Sequence, residues 1–142
     1  RHGICHSDIK LDNIGIMRKD CLDELKLLDF GNSIRVQDCP YSSDKVLGSA
    51  RYAAPELFGE AFLMFSKDLF LVDAWSIGVI AFILVTKRFP FMNQKYRLIA
   101  KEDLAGVSPE YCSFVTELLS IDPKKRMSIS DALNHSAVTR NV

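Results

Sequence analysis

The sequence predicts an α+β fold, mainly α-helical, with one short β-hairpin near its start. Three observations carry this. The apolar runs NIGIM at residues 13–17 and LKLL at residues 25–28 flank a polar segment, the pattern of two short strands in a hairpin. The stretch Leu69–Thr86, LFLVDAWSIGVIAFILVT, holds one charge, at Asp73, and a helix apolar all round belongs at the centre of a core. Two later segments open with helix caps.

Taken in order, the hairpin comes first and residues 31–52 follow. That segment has turn and polar residues and little periodicity, so it reads as a long loop, a feature uncommon in compact domains unless functional. The apolar helix comes next. A membrane span needs about 20 apolar residues, and Asp73 leaves only residues 74–86 free of charge, so a buried soluble helix is expected and no membrane. Ser108-Pro109 supplies a cap and a first-turn proline, after which Phe114, Val115, Leu118 and Leu119 fall on one face. Asp122-Pro123 stops that helix. Ser128 and Asp131 form a capping-box pattern for a last helix through Ala132 and Leu133.

Composition sets the outer limits. The 142 residues are 48% apolar and 25% charged, which excludes wholesale disorder. A chain this long buries roughly 70% of its unfolded surface. Lys plus Arg balances Asp plus Glu at 18 each, so there is no positive field to gather nucleic acid, and none is expected as a partner. Cys5, Cys21, Cys39 and Cys112 form no C-x-x-C pair, which suits free thiols in a reducing compartment and a cytoplasmic location. His2, Cys5 and His6 lie close together, but no second ligand pair follows, so zinc is not expected. The chain starts at Arg1 without a signal peptide and in mid-motif, and is expected to be a piece of something longer.

Chemistry concentrates in two clusters. His6-Ser7-Asp8-Ile9-Lys10-Leu11-Asp12-Asn13 sets an acid, a base and an amide carbonyl just before the first strand. Asp29-Phe30-Gly31 follows the second strand. Hairpin ends lie close in space, so Asp8, Asn13 and Asp29 should converge at one rim. Three oxygen donors and the Lys10 ammonium are what a magnesium-bound phosphate needs, because hard Mg²⁺ prefers carboxylate and carbonyl oxygens together with phosphate.

On these residues the sequence resembles the C-terminal lobe of a eukaryotic protein kinase of serine/threonine type. Four further segments support the resemblance in the expected order: Gly48-Ser49-Ala50-Arg51-Tyr52-Ala53-Ala54-Pro55-Glu56, Asp73-Ala74-Trp75-Ser76-Ile77-Gly78, Phe89-Pro90-Phe91, and Asp122-Pro123-Lys124-Lys125-Arg126. The resemblance implies that all of 1–142 is one partial kinase domain, comprising catalytic loop, activation segment and C-lobe helices, with the N-terminal lobe absent. It implies ATP and Mg²⁺ as cofactors, and protein substrates and the missing lobe as partners. Asp8 would then accept the substrate hydroxyl proton, and Lys10 would contact the γ-phosphate. Asn13 and Asp29 would be the magnesium ligands, with Phe30 packed under the site. Ser49 would shape the pocket for the residue after the phosphoacceptor. Glu56 and Arg126 would form a buried ion pair, and Asp73 would accept backbone amides of the catalytic loop.

The departures from the family pattern also carry information. Ser7 stands where many kinases have an Arg that pairs with an activation-segment phosphate, so control by phosphate on Tyr41, Ser42 or Ser43 should be weak or absent. Leu11 replaces a common Pro, and His135-Ser136-Ala137 replaces a His-Pro-aromatic ending, so the last helix should dock less firmly. The sequence holds no Gly-rich loop, strand lysine or partner glutamate, so the piece alone should bind ATP poorly, fail to turn over, and expose apolar surface. A pseudokinase or scaffold with the same fold is the alternative, although Asp8, Lys10, Asn13 and Asp29 all stand.

Overall fold

A computed structural model describes residues 2–19, 21–38, 41–43, 48–58, 62–64, 66–92 and 95–139. Among the described residues there are six short strands and four α-helices: β1 Ile4–Cys5, β2 Ile14–Arg18, β3 Cys21–Leu27, β4 Ile34–Arg35, β5 Tyr41–Ser43, β6 Phe62–Met64, α1 Ser66–Thr86, α2 Pro109–Leu118, α3 Ile129–Asn134 and α4 Ser136–Thr139. The architecture is α+β and helix-dominated. The strands form three separate two-stranded antiparallel ribbons, β1–β4, β2–β3 and β5–β6.

The expected hairpin is the β2–β3 ribbon, with Ile14 opposite Leu27 and Ile16 opposite Leu25. It is longer than the apolar runs suggest, because β3 already begins at Cys21. A ladder needs only backbone partners, so polar residues join it once the apolar pairs fix the register. Residues 31–52 likewise are not one loop: Ser33 is followed by β4, a 3₁₀ turn at Val36–Asp38, and β5. Two-residue strands such as β4 leave no alternation to read, and their partners lie far along the chain.

Helix α1 is the axis of the core. Leu69, Val72, Ala74, Trp75, Val79 and Phe82 are fully buried or nearly so, and α2, α3, β1 and the turn at Lys101–Leu104 pack around the helix. By length and composition, Leu69–Thr86 is apolar enough to cross a membrane, yet 61% of it is buried inside this chain. Gly78 lets α2 approach: a Cβ there would sit 2.8 Å from Leu118 Cβ. Helix α2 starts where the sequence signals it, with Ser108 Oγ accepting from Tyr111 N at 3.3 Å. Phe114, Val115, Leu118 and Leu119 are all buried.

The helix expected through Ala132 and Leu133 is α3, and a short further helix, α4, follows it. Ser128 Oγ caps α3 by accepting from Asp131 N at 3.1 Å, but His135 adopts extended backbone and separates α3 from α4. The His135 ring still packs on Phe114, with centroids 5.4 Å apart. The expected apolar surface is present: Ile16, Met17, Leu25, Leu27 and Leu28 of the hairpin region and Phe30 beside it are exposed. Cys5 is buried and Cys112 half-buried, both as free thiols. Cys39 lies outside the described residues, as do the side chains of Cys21, Tyr41, Ser42 and Ser43.

Candidate active site

The site is built on the segment between β1 and β2. Asp73, projecting from α1, accepts from His6 N at 2.8 Å and from Ser7 N at 2.9 Å, one amide on each carboxylate oxygen. These bonds hold Ser7 at φ +65°, a left-handed conformation costly for a residue with a Cβ. Burial pushes the Asp73 carboxyl above its ordinary 3.8, although both amides favour the carboxylate. Cys5 donates its thiol to Leu69 O at 3.0 Å, and burial, followed by the Asp73 charge, pushes that thiol up to about 12. The segment is thereby fastened to the core helix immediately before Asp8.

Asp8 is buried and held from two sides. Its Oδ1 accepts from Ser49 N at 2.8 Å, and its Oδ2 lies 3.2 Å from Lys10 Nζ. Lys10 Nζ also donates to Ser49 Oγ at 2.9 Å, closing a ring of three residues. Burial alone would raise the Asp8 carboxyl, but the bonds from Ser49 and Lys10 together with the Lys10 charge outweigh it and hold the group below 3.8. Asp8 is therefore ionised at neutral pH. Ser49 reaches it because Gly48 (φ +71°) passes close to the chain: a Cβ at Gly48 would lie 2.2 Å from Ser7 O.

Asn13 donates Nδ2 to Asp8 O at 2.9 Å, which turns its amide nitrogen inward and its oxygen the other way. The second cluster is stitched to the first through the residue before Asp29. Leu28 N donates to Asn13 O at 2.8 Å, and His6 Nε2 donates to Leu28 O at 2.9 Å. His6 Nδ1 accepts from Asp8 N at 3.2 Å, so the imidazole is the Nε2–H tautomer bridging both clusters. Asp29 itself takes φ +59°, is exposed, and accepts from Gly31 N at 3.2 Å.

The structure thus brings Asp8, Lys10 and Ser49 into direct contact, with Asn13 bonded to their loop and Asp29 one residue from the stitch. Among the described residues, no three His, Cys, Asp or Glu side chains group as a metal cage. The donor set at the rim, one carboxylate from Asp29 and one amide oxygen from Asn13, suits a hard cation completed by phosphate and water. Phe30 does not pack under the site: it is exposed and meets the His6 ring in a T-shaped contact, with centroids 4.8 Å apart. No element among the described residues covers that face, so its ring has nothing to be buried against.

Two further site residues lie away from the rim. Arg126 and Glu56 form a two-pronged pair, Nη1–Oε1 2.6 Å and Nη2–Oε2 2.9 Å, and Arg126 also donates to Leu71 O and Ser120 O. The pair anchors the turn Pro55–Phe58 that ends the segment carrying Ser49. Sequence reasoning gave no role to His6, whose ring fixes the spacing of the two clusters, nor to Gly48. A glycine just before Ser49 was the available signal, but the close approach that demands it is to Ser7, far earlier in the chain.

Comparison with known proteins specifies the family of this loop, ribbon and helix arrangement. Residues 1–138 match the family model of the protein kinase domain. The chain is 38% identical over 140 residues to the serine/threonine-protein kinase kin-29 of Caenorhabditis briggsae, covering 94% of this chain and 16% of that protein. It is 37% identical to a CDPK-related protein kinase of Daucus carota, covering 94% and 23%. Among solved structures, it resembles the twitchin kinase region of Caenorhabditis elegans, with a TM-score of 0.73 and 29% identity, covering 97% of this chain and 25% of that one. The chain belongs to the protein kinase domain family. It spans about a sixth to a quarter of the length of these relatives.

Proposed function

We propose that this chain is the catalytic lobe of a serine/threonine protein kinase. It would transfer the γ-phosphate of Mg-ATP to a Ser or Thr hydroxyl of a protein substrate. The observation that carries this reading is the closed ring of Asp8, Lys10 and Ser49, which holds an ionised carboxylate beside the hairpin rim. The hydroxyl oxygen attacks the γ-phosphorus, the bond to the β-phosphate oxygen breaks, and the hydroxyl proton passes to Asp8 Oδ2. Because the Asp8 carboxyl lies below 3.8, it is a weak base, so it orients the hydroxyl first and takes the proton late. Lys10 is placed to move from Asp8 to the transferring group as charge develops there. Asn13 and Asp29 would hold magnesium, which when bound neutralises phosphate charge.

In this reading the adenine-binding lobe comes from outside these 142 residues, and the piece alone is inactive. It functions in the cytosol, which the free Cys5 and Cys112 thiols support. The test is peptide phosphorylation by the complete protein. Asp8→Asn should lower kcat at least about 100-fold while circular dichroism is unchanged. Unaltered turnover in that variant would overturn the assignment. Nucleotide binding by the complete protein without any transfer would favour the scaffold reading.

A further inference from the structure

The ring of Asp8, Lys10 and Ser49 opens onto a cavity of about 440 Å³. Besides Lys10 and Ser49, its lining includes Asp12, Arg51, Tyr52 and Phe89. A hydroxyl presented to Asp8 belongs to an extended peptide whose next Cα is about 3.8 Å away. A neighbouring side chain of that peptide therefore reaches this cavity.

The chemistry of the lining is uneven. Lys10 has its ammonium engaged by Asp8 and Ser49. Arg51 is exposed and forms no ion pair within 4.0 Å among the described residues. It is nevertheless held in place: its guanidinium carbon lies 3.5 Å from the Phe89 ring centroid. Phe89 is braced in turn by the edge of buried Tyr52, with centroids 5.2 Å apart. The backbone is fixed too, since Tyr52 N and Ala53 N both donate to Ser49 O, at 2.8 and 3.1 Å. A flat cation on an aromatic shelf, with its N–H edges open, matches a carboxylate in two-pronged fashion. Asp12 is the one acidic side chain in the lining, and it stands beyond ion-pair distance of Arg51.

We propose that Arg51, seated on Phe89 in the cavity it shares with Lys10 and Ser49, selects protein substrates that carry an acidic side chain adjacent to the accepting hydroxyl. This rests on the kinase reading above and adds a substrate class to it. Arg51 is a specificity residue here; the chemical step does not pass through it.

The test uses the complete protein and serine peptides identical except for Glu, Ala or Lys on either side of the serine. The Glu peptide at one flank should exceed the Lys peptide in kcat/KM by about tenfold or more, the scale of one charge-assisted bond. Arg51→Gln should bring the Glu-to-Lys ratio towards one, and Arg51→Glu should invert it. The Ala peptide serves as the reference for both variants. Preference for the Lys peptide by the parent protein would assign the cavity to Asp12 and overturn the proposal. A Glu preference that survives Arg51→Gln would overturn it equally. Either result with brisk transfer leaves the kinase reading standing, whereas no transfer to any peptide overturns both.

Discussion

Replacing Glu56 by glutamine tests how the turn Pro55–Phe58 is tied to the core. The Arg126 side chain is fully buried and makes four hydrogen bonds, two of them to Glu56 at 2.6 and 2.9 Å. Its guanidinium also lies 4.9 Å from the Trp75 ring centroid. In Glu56→Gln the side-chain amide would keep one acceptor oxygen but turn an NH₂ group towards a guanidinium N–H, leaving a buried charge half-satisfied. Removing one partner of a buried pair costs about 3–5 kcal/mol. The Glu56 side chain is 25% exposed, so water reaches that side and the low end applies, about 3 kcal/mol. For a chain of this size that lowers Tm by about 6–12 °C. Urea unfolding followed by circular dichroism measures it directly. The double variant Glu56→Gln/Arg126→Met should lose less than the two single losses added together, since no charge is stranded. A Glu56→Gln stability within about 0.5 kcal/mol of the parent would refute the reasoning.

Other expectations follow from the same geometry. Gly48→Ala places a Cβ 2.2 Å from Ser7 O, a backbone atom that Asp73 keeps from yielding. It should cost about 1–3 kcal/mol for the left-handed backbone alone and withdraw Ser49 from Asp8; equal stability and equal peptide kcat would disprove the close approach. Asp103 is bonded to Arg97, which, with Ala100 N and Arg88, outweighs burial and holds its carboxyl well below the usual carboxylate range. Its folded value is depressed, so its contribution is present above the ordinary value of about 3.9 and lost as pH falls below it. The stability gap between parent and Asp103→Asn should therefore hold steady above about pH 5 and narrow as pH falls below about 4 in urea titrations, and a gap that stays constant there would contradict the pairing. Ser7 is buried with its hydroxyl on Cys5 Sγ at 3.4 Å and offers no cation. Phosphate on Tyr41, Ser42 or Ser43 should change peptide kcat by less than about tenfold, because the usual charge-assisted partner is lacking; activation by orders of magnitude would overturn this expectation.

Helix positions were legible because each had a local cause. Ser108 and Ser128 are caps, and residues 69–86 are apolar on every side. The β2–β3 ribbon was legible for the same reason, as two apolar runs a short step apart. What escaped was long-range pairing: β1 with β4 and β5 with β6 join segments too short to carry periodicity. Helix α4 escaped because four residues are too few to carry a helical period. At the site, the polar residues of the two clusters were readable, and the structure brings Asp8 and Lys10 into contact with Ser49. The supports were not: His6 reaching Leu28 O and Gly48 passing Ser7 O depend on chain crossings between segments distant in sequence. The exposure of Phe30 could not be read either, because it depends on what lies opposite.

Asp73 has a mechanical consequence. By gripping two successive amides ahead of Asp8, it welds what looks like a surface turn to the deepest girder of the molecule. The Asp8 carboxylate therefore rides with α1 as part of one stiff body, while the segment carrying Ser49 and Arg51 meets it from the far side. Changes in the periphery would therefore leave the station of that carboxylate unaltered.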